Sequence, residues 1–263
     1  MGKNNPIGVF DSGVGGSSIW KEINKLLPAE NIVYLADSKN APYGNKSPEE
    51  IVELSIKNTE KLIQFNSKII VVACNTATTN AINILREKYT IPIIGIEPAI
   101  KPAALNTSSK SIGILATKGT LTSALFCKTT KEFASDIKVV EIIGEGLVPL
   151  IESGKLKGPE INELLRKHTK PMVEADVDYI VLGCSHYPYI IPALKQILPK
   201  HIKIIDSGEA VAQQTKKVLE KQGLLRKESS KPLLKFYTNA ETDTLEFLLK
   251  EYQDDITIEK CDF

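Results

Sequence analysis

Two stretches of the chain share one form: "VVACNTATTNA" at residues 71–81 and "YIVLGCSHYPY" at residues 179–189. In each, an apolar run with β-branched residues ends in a cysteine and gives way at once to small polar residues. Runs of this kind are typical of parallel strands that are buried on both faces. Each stretch therefore predicts a buried strand that carries a thiol at its carboxyl end, Cys74 in one case and Cys184 in the other.

Similar apolar runs recur along the chain and alternate with helical patterns. The stretch "SPEEIVELSIKNTEKLIQF" is a clear helix: Ser47 can cap it, Pro48 suits its first turn, and Glu50 completes a capping box. Strands that alternate with helices predict an α/β fold with mostly parallel sheets. The strand-like runs are at residues 7–10, 31–36, 68–73, 91–96, 111–116, 137–143, 178–183 and 202–206.

The order of these units repeats at a nearly constant offset. Ile7 of "IGVFDSGVGG" aligns with Ile112 of "IGILATKGTL", 105 residues later, and Cys74 aligns with Cys184, 110 residues later. Because the turn residues match as well as the apolar runs, we interpret the repeat as a duplication that gives two similar α/β domains. The first domain is predicted to be discontinuous and the second to be inserted into it. The predicted bounds are residues 1–98 with 208–263, and residues 99–207.

The polar residues that follow the strands are expected to share one site. In parallel sheets, ligands bind beyond the carboxyl ends of the strands. Asp11, Cys74, Thr117 and Cys184 all follow such ends. If the two domains face each other across a pseudo-two-fold axis, the two thiols lie on opposite walls of the cleft between them.

The composition is that of an ordinary soluble protein. The chain has 263 residues, 42% hydrophobic and 25% charged, with a formal net charge of +1. This balance disfavours a dedicated nucleic-acid binder, and no apolar run is long enough to span a bilayer. The first residues lack the apolar core of a secretory signal. We therefore expect a cytoplasmic protein with no nucleic-acid or membrane partner.

The four cysteines are expected to be free thiols, because no pair has the spacing Cys-x-x-Cys and a disulfide framework is improbable in a cytosolic chain of this size. Cys127 falls in a helical pattern and is expected to pack against the core. Cys261, near the C-terminus, is expected to have no role in the site. The charged run from Arg226 to Lys231 is expected to be a solvated loop that leads to a short tail.

Two opposed thiols suit the inversion of a carbon centre. That reaction removes a proton from one face and returns a proton to the other, which two fixed groups can do if one starts as thiolate and the other as thiol. The reference pKa of cysteine, about 8.5, lies close enough to neutrality for both roles. Asp11 and His186 can relay a proton or orient a thiol. Carboxylate and ammonium groups of a substrate can bind to Ser12, Asn75, Thr76 and Ser185.

Five motifs in order resemble those of the glutamate racemase family: "FDSGVGG", "APYG", "ACNTAT", "LVPLIESG" and "GCSHYP". The resemblance covers most of residues 7–215. It implies a two-domain α/β fold, a homodimer, and interconversion of L- and D-glutamate without a metal or pyridoxal phosphate. D-glutamate made in this way enters peptidoglycan.

The resemblance also implies roles for individual residues. Cys74 would serve the D-enantiomer and Cys184 the L-enantiomer. Asp11 would lie beside the first thiol, and His186 and Glu152 near the second. The implied substrate contacts are Asp11, Ser12, Tyr43, Gly44, Asn75, Thr76, Thr117, Ser185 and His186.

The chain departs from the family pattern at two places. Ser185 stands where the family usually has threonine, so the hydroxyl survives and the methyl group is lost. Gly144-Glu145 stands where many members have Cys-Pro, which alters the expected shape of that loop.

Other interpretations compete with a glutamate racemase. An aspartate racemase of the same architecture is one, although such enzymes have an acidic residue where His186 stands. A non-catalytic amino-acid sensor is another, although a sensor needs no pair of thiols. A zinc site built from Cys74, Cys184 and His186 lacks any paired-ligand spacing. A dinucleotide loop at "DSGVGG" lacks the spacing Gly-x-Gly-x-x-Gly, and Asp11 would repel a phosphate.

Overall fold

The computed structural model describes residues 2–227 and 230–263 of the chain. The ten strands in this part form two sheets, and every described strand pairing is parallel. The strands are β1 Ile7–Asp11, β2 Ile32–Ala36, β3 Ile69–Val72, β4 Ile93–Gly95, β5 Ser111–Ala116, β6 Lys138–Ile143, β7 Tyr179–Gly183, β8 Lys203–Ile205, β9 Leu234–Thr238 and β10 Ile256–Lys260.

Eleven α-helices in the described residues connect or flank these strands. They are α1 Ser17–Leu26, α2 Pro48–Gln64, α3 Asn75–Lys88, α4 Ile100–Asn106, α5 Lys118–Leu121, α6 Ala124–Phe133, α7 Leu147–Glu152, α8 Pro159–Glu174, α9 Ile191–Ile197, α10 Gly208–Lys221 and α11 Asp243–Leu248. Short 3₁₀ helices lie at Ser38–Asn40, Tyr43–Asn45, Tyr187–Ile190 and Lys250–Tyr252. No helix of the described chain is both long and apolar enough to cross a membrane.

The two sheets have the same internal strand order. The larger sheet runs β10-β9-β2-β1-β3-β4 and the smaller runs β6-β5-β7-β8. Four strands of the first sheet, in the order β2-β1-β3-β4, therefore correspond one by one to the four strands of the second. This match confirms the predicted α/β fold with two similar parallel sheets. The domain bounds at residues 98 and 208 stay a prediction.

The predicted helix after Ser47 forms with its capping box. The Ser47 hydroxyl accepts from the backbone N–H of Glu50 at 3.2 Å, and the Glu50 carboxylate accepts from the backbone N–H of Ser47 at 2.9 Å. These bonds satisfy two of the donors that a helix start leaves free. The buried face of the helix, which includes Ile51 and Leu62, covers the first sheet.

The C-terminal tail adds two strands to the first sheet, which the sequence analysis did not predict although it assigned residues 208–263 to the first domain. Strand β9 pairs with β2 along its whole length, and β10 forms the outer edge. Trp20 of α1 packs edge-on against Phe236 and Tyr252, with ring centroids 4.8 Å apart in each pair. Such aromatic contacts add to the apolar area that the tail buries.

Two expectations for other segments were wrong. Cys127 is exposed, because Ser123 starts a new helix and the buried face of that helix falls on Phe126 instead. In the charged run from Arg226 to Lys231, Lys227 and Lys231 are exposed as expected, but Arg226 is buried. Its guanidinium donates to the carbonyls of Ala29 and Ser230. Residues 228 and 229 of the same charged run lie outside the described residues.

A buried ion pair closes the amino edge of the first sheet. The Lys68 ammonium contacts the Glu30 carboxylate, and both side chains are at most 2% exposed. Lys68 also donates to the carbonyl of Leu224 at 3.0 Å, and Glu30 accepts from the backbone N–H of Arg226 at 2.9 Å. The pair therefore joins β3, the α1–β2 turn and the segment that follows α10.

Replacing Lys68 by methionine is expected to lower the free energy of unfolding by about 3–5 kcal/mol, because the Glu30 carboxylate is left buried without its cation. Urea unfolding measures this loss. Lys88→Met is the matched control, since its pair with Glu60 is about half exposed, and it should change stability by less than about 1 kcal/mol. Equal effects of the two substitutions would contradict the buried role of Lys68.

Candidate active site

Both cysteines lie at the carboxyl ends of their strands and line one cavity. Cys74 directly precedes α3, and Cys184 follows β7; their exposed fractions are 4% and 7%. The cavity holds about 240 Å³ of empty space, openings to solvent included. A wider depression of about 710 Å³ adjoins it and shares Pro42, Gly44, Thr117 and Val148 with it. The remaining walls of the cavity come from Ser12, Tyr43, Asn75, Thr76, Ser185 and His186.

The Cys74 thiol is held at the start of α3. It accepts from the backbone N–H of Ala77 at 3.4 Å and lies 3.6 Å from the Ser12 hydroxyl, to which it donates. Burial, and then the negative charge of Asp11, raise the pKa of Cys74 well above its ordinary range. Cys74 is therefore a neutral thiol at physiological pH.

The Cys184 thiol has a different partner. Its Sγ lies 3.7 Å from Nδ1 of His186, whose Nε2 contacts Oε1 of Glu152. Glu152 is itself held by the backbone N–H of Val14 at 2.8 Å and by the Ser38 hydroxyl at 3.1 Å. These contacts give Cys184 a histidine–carboxylate pair that Cys74 lacks.

His186 is a cation in this setting. Burial alone would lower the pKa of His186, but the hydrogen bonds to Cys184 and Glu152, and then the negative charge of Glu152, outweigh burial and raise this pKa well above its ordinary value. A buried imidazolium next to a carboxylate orients its other N–H toward the thiol.

Asp11 links the glycine-rich loop to the second half of the chain. One carboxylate oxygen accepts from the backbone N–H groups of Gly13 and Gly16, at 3.2 and 2.9 Å, and the other accepts from the Ser185 hydroxyl at 2.9 Å. Burial raises the pKa of Asp11, while the positive charge of His186 and the bonds from Gly16 and Ser185 oppose the rise. The contact of Asp11 with the first thiol is therefore through charge, not through a hydrogen bond.

Three threonine hydroxyls, from both halves of the chain, form a cluster beside the cavity. The hydroxyls of Thr76, Thr117 and Thr120 lie 2.8–3.2 Å from one another. Gly44 approaches Thr117 so closely that a β-carbon on Gly44 would lie 2.7 Å from the Thr117 β-carbon. The side-chain amide of Asn75 is buried, and neither its nitrogen nor its oxygen has a partner among the described residues. An unpaired buried amide is costly unless a ligand completes it.

The glycine-rich loop is shaped by the pair of His186 and Glu152. A β-carbon on Gly13 would lie 2.0 Å from Glu152 Oε1, and one on Gly15 would lie 2.3 Å from His186 Nδ1. Both positions therefore need glycine for close approach, as phosphate-binding loops do, but the groups that approach are side chains of this chain.

The Gly144-Glu145 departure also has a local structural reason. A β-carbon on Gly144 would lie 2.2 Å from the Tyr187 hydroxyl, which donates to the Gly144 carbonyl at 3.3 Å. The Glu145 carbonyl lies 2.9 Å from Nε2 of His168. This loop therefore packs on the residues that follow Cys184.

All predicted site residues lie at or next to the cavity, and three contributors were missed. Thr120 completes the threonine cluster, Ser38 holds Glu152, and Asp37 accepts from the Tyr43 hydroxyl at 2.5 Å. The spacing Thr117-x-x-Thr120 and the place of Asp37 directly after β2 are signals that would have found two of them. In the described residues, no group of three or more His, Cys, Asp or Glu side chains is disposed to hold a metal ion.

Comparison with known proteins assigns the class. Residues 7–215 match the family model described as Asp/Glu/Hydantoin racemase. The chain therefore belongs to this family of racemases, which are isomerases.

Individual relatives of this chain are named glutamate racemases. A protein from Ralstonia pickettii named glutamate racemase is 46% identical over 219 residues, covering 83% of this chain and 78% of that protein. The glutamate racemase isoform RacE1 from Bacillus anthracis superposes with a TM-score of 0.87 at 31% identity, over 99% and 98% of the two chains. The Escherichia coli glutamate racemase in complex with L-glutamate and the activator UDP-MurNAc-ala gives a TM-score of 0.85 at 32% identity, over 97% and 98%.

Gly15→Ala is expected to lower kcat/KM of the racemase by about 100-fold, because the new β-carbon displaces His186 by about 1 Å from Cys184. The fold should survive, with a loss of about 1–3 kcal/mol from overpacking. Steady-state assays and urea unfolding measure the two effects. Gly208→Ala, which meets side-chain atoms at 3.1 Å outside the cavity, should leave kcat/KM unchanged. Normal activity of Gly15→Ala would contradict the tight fit.

The free energy of unfolding is expected to fall as the pH rises above about 6.5. The pKa of His186 is higher in the folded than in the unfolded chain, so the stability it contributes is present below the unfolded value of about 6.5 and is lost as pH passes the folded value. The raised pKa of Cys74 acts in the same sense above about 8.5.

Glu152→Gln tests the cause of this dependence. It removes the charge that raises the pKa of His186, so the decline with pH should become shallower and His186 should titrate at lower pH by NMR. The chain has three histidines, which makes the signal assignable. An unchanged titration of His186 in Glu152→Gln would contradict the assignment.

Proposed function

We propose that this racemase interconverts L- and D-glutamate by passing a proton between Cys74 and Cys184. The observation that carries the proposal is that two buried thiols from matching strand ends line one cavity and have different partners. A neutral thiol on one side and a thiol beside an imidazolium on the other fit the unequal protonation that a two-base inversion needs.

The reaction from L-glutamate runs as follows in this proposal. Ionised Cys184 takes the proton from the α-carbon, and the electron pair left behind is delocalised into the α-carboxylate. The Cys74 thiol then gives its proton to the opposite face of that carbon. The products are D-glutamate, a Cys184 thiol and a Cys74 thiolate, which is the state that takes a proton from D-glutamate in the reverse direction.

The neighbouring groups support these steps. His186 is a cation within 3.7 Å of Cys184, so it stabilises negative charge on that side, and Glu152 keeps it protonated and oriented. Burial, and then the negative charge of Asp11, raise the pKa of Cys74, which favours the proton-donating form of that thiol. The side chains of this chain supply every proton transfer in the scheme.

The polar wall fits the rest of the substrate. The unpaired amide of Asn75 and the hydroxyls of Thr76 and Thr117 are donors for a carboxylate, as is the amino end of α3. Ser12, Ser185 and the Tyr43–Gly44 turn line the same space and complete the proposed substrate contacts. Glutamate carries two carboxylates and an ammonium group, which these donors and hydroxyl groups can bind.

The names of the relatives support glutamate as the substrate. The Ralstonia and Bacillus proteins are glutamate racemases, and the Escherichia coli neighbour binds L-glutamate. From the resemblance we extend the proposal to a cytoplasmic homodimer that supplies D-glutamate for peptidoglycan and uses no cofactor.

Metal-free protein in D₂O tests the reaction. Optical rotation of L-glutamate should decay to zero while deuterium enters the α-carbon. No change with glutamate but racemisation of aspartate would replace the proposal by an aspartate racemase. No change with either would contradict catalysis at the thiols.

Single-thiol variants test the two-base scheme. Cys184→Ala should lose inversion but retain exchange of the α-proton of D-glutamate, because Cys74 can remove a proton and return a deuteron on its own face. Cys74→Ala should retain exchange of L-glutamate alone. Cys127→Ala, which removes an exposed thiol, is the control and should be fully active. Racemisation by Cys184→Ala at the normal rate would exclude the scheme.

A further inference from the structure

The segment from the end of β9 to the first turn of α11, residues 238–244, reaches both sides of the active site. It begins beside β2, since Thr238 pairs with Ala36. This segment therefore lies at the carboxyl edge of the first sheet, the same edge that carries Asp11 and Cys74. Two of its side chains, Asn239 and Thr244, bond to two different parts of the site.

Asn239 holds the loop that follows β2. Its side-chain amide donates to Oδ1 of Asp37 at 2.6 Å, and its side-chain oxygen accepts from the backbone N–H of Lys39 at 2.9 Å. Asn239 is 6% exposed. Both ends of this amide are therefore fixed, and water has little access to replace it.

Asp37 transmits this contact to the substrate-binding turn. Its carboxylate accepts from the Tyr43 hydroxyl at 2.5 Å and from the Asn58 amide at 3.3 Å, and Asn58 also donates to the Tyr43 oxygen at 3.0 Å. Tyr43 precedes Gly44, which packs on Thr117 across the cavity. The chain of bonds from Asn239 to the cavity wall thus passes through two buried side chains.

Thr244 holds the carboxyl end of α7. Its hydroxyl donates to the backbone carbonyl of Glu152 at 2.8 Å. Glu152 is the last residue of α7, where the carbonyls have no partner within the helix. The Glu152 side chain contacts His186, so Thr244 fixes the backbone from which the partner of the imidazolium projects.

We propose that Asn239 and Thr244 are positioning residues for racemisation: Asn239 orders the Tyr43–Gly44 turn for substrate binding, and Thr244 places Glu152 against His186 for proton transfer. The inference rests on the proposed function. Because the two contacts end on different parts of the site, their loss should affect different kinetic constants.

Asn239→Asp is the sharpest change at the first position. It keeps the size of the side chain and its acceptor toward Lys39, but it turns a carboxylate oxygen toward Asp37. KM for both enantiomers should rise about tenfold, the effect of losing one hydrogen bond to a charged group, with little change in kcat. Asn239→Ser is a milder variant in case the aspartate prevents folding.

Thr244→Val should lower kcat several-fold and leave KM near that of the parent protein, because it keeps the shape of the side chain and removes the hydroxyl. His186 should titrate at lower pH by NMR, and Thr244→Ser should restore both properties. Since two enantiomers have equal free energies in water, kcat/KM must remain equal in the two directions for every variant, which checks the data.

Asn31→Ala is the matched control for Asn239. Asn31 also bonds to the β9 segment, accepting from the backbone N–H of Leu233 at 2.8 Å, but at the amino edge of the sheet, away from the cavity. It should lower stability without changing KM or kcat. Amide exchange in residues 37–45 should rise in Asn239→Asp and not in Asn31→Ala, a readout that needs no activity.

The outcomes separate the inference from the proposed function. If the parent protein does not racemise glutamate, the proposed function fails. If it does, and Asn239→Asp and Thr244→Val change only stability, as Asn31→Ala does, the inference alone is overturned. The inference would also be overturned if both variants showed the same rise in KM and the same fall in kcat. Unchanged amide exchange in residues 37–45 of Asn239→Asp would overturn it as well.

Discussion

The site depends on the buried carboxylate of Asp11. It has no exposed surface, and its bonds go to two backbone N–H groups of its own loop and to Ser185 from the second half of the chain. A carboxylate without such donors would be too costly to bury. The glycine-rich loop folds around it, and that loop receives His186 and Glu152. Burial of the Cys74 thiol, and then the negative charge of Asp11, raise the pKa of Cys74 and keep this thiol protonated.

Two halves that share the order of four strands provide unequal thiols. The strands repeat in the same order, and each half delivers one cysteine to the cavity. The residues around the thiols do not repeat: Cys74 has a serine hydroxyl and a helix start, whereas Cys184 has an imidazolium. The reaction treats two mirror-image substrates, yet at any moment one thiol must donate and the other accept. The difference between the neighbours supplies this asymmetry.

The sequence predicted the fold and the thiols because both depend on local patterns. Buried strands and a capping box are visible in the residues themselves, and the matching of "ACNTAT" with "GCSHYP" pointed to one shared cleft. Tertiary relations were harder to foresee. The role of Gly13 and Gly15 depends on the approach of side chains more than 130 residues away. Two further strands, and with them Asn239, were not predicted. Strand β10 is largely exposed and ends in two charged residues, and the buried strand β9 follows soon after the charged run.

The smaller sheet is inserted into the chain that builds the larger one, so the backbone crosses between the halves twice. The crossings lie side by side after β4 and after β8, and the Ser207 hydroxyl donates to the Glu97 carbonyl between them. Bonds around the cavity also join the halves, among them those of Asp11 with Ser185 and of Thr76 with Thr117. Widening so narrow a space to admit a substrate would therefore cost some of the same bonds that hold the site together.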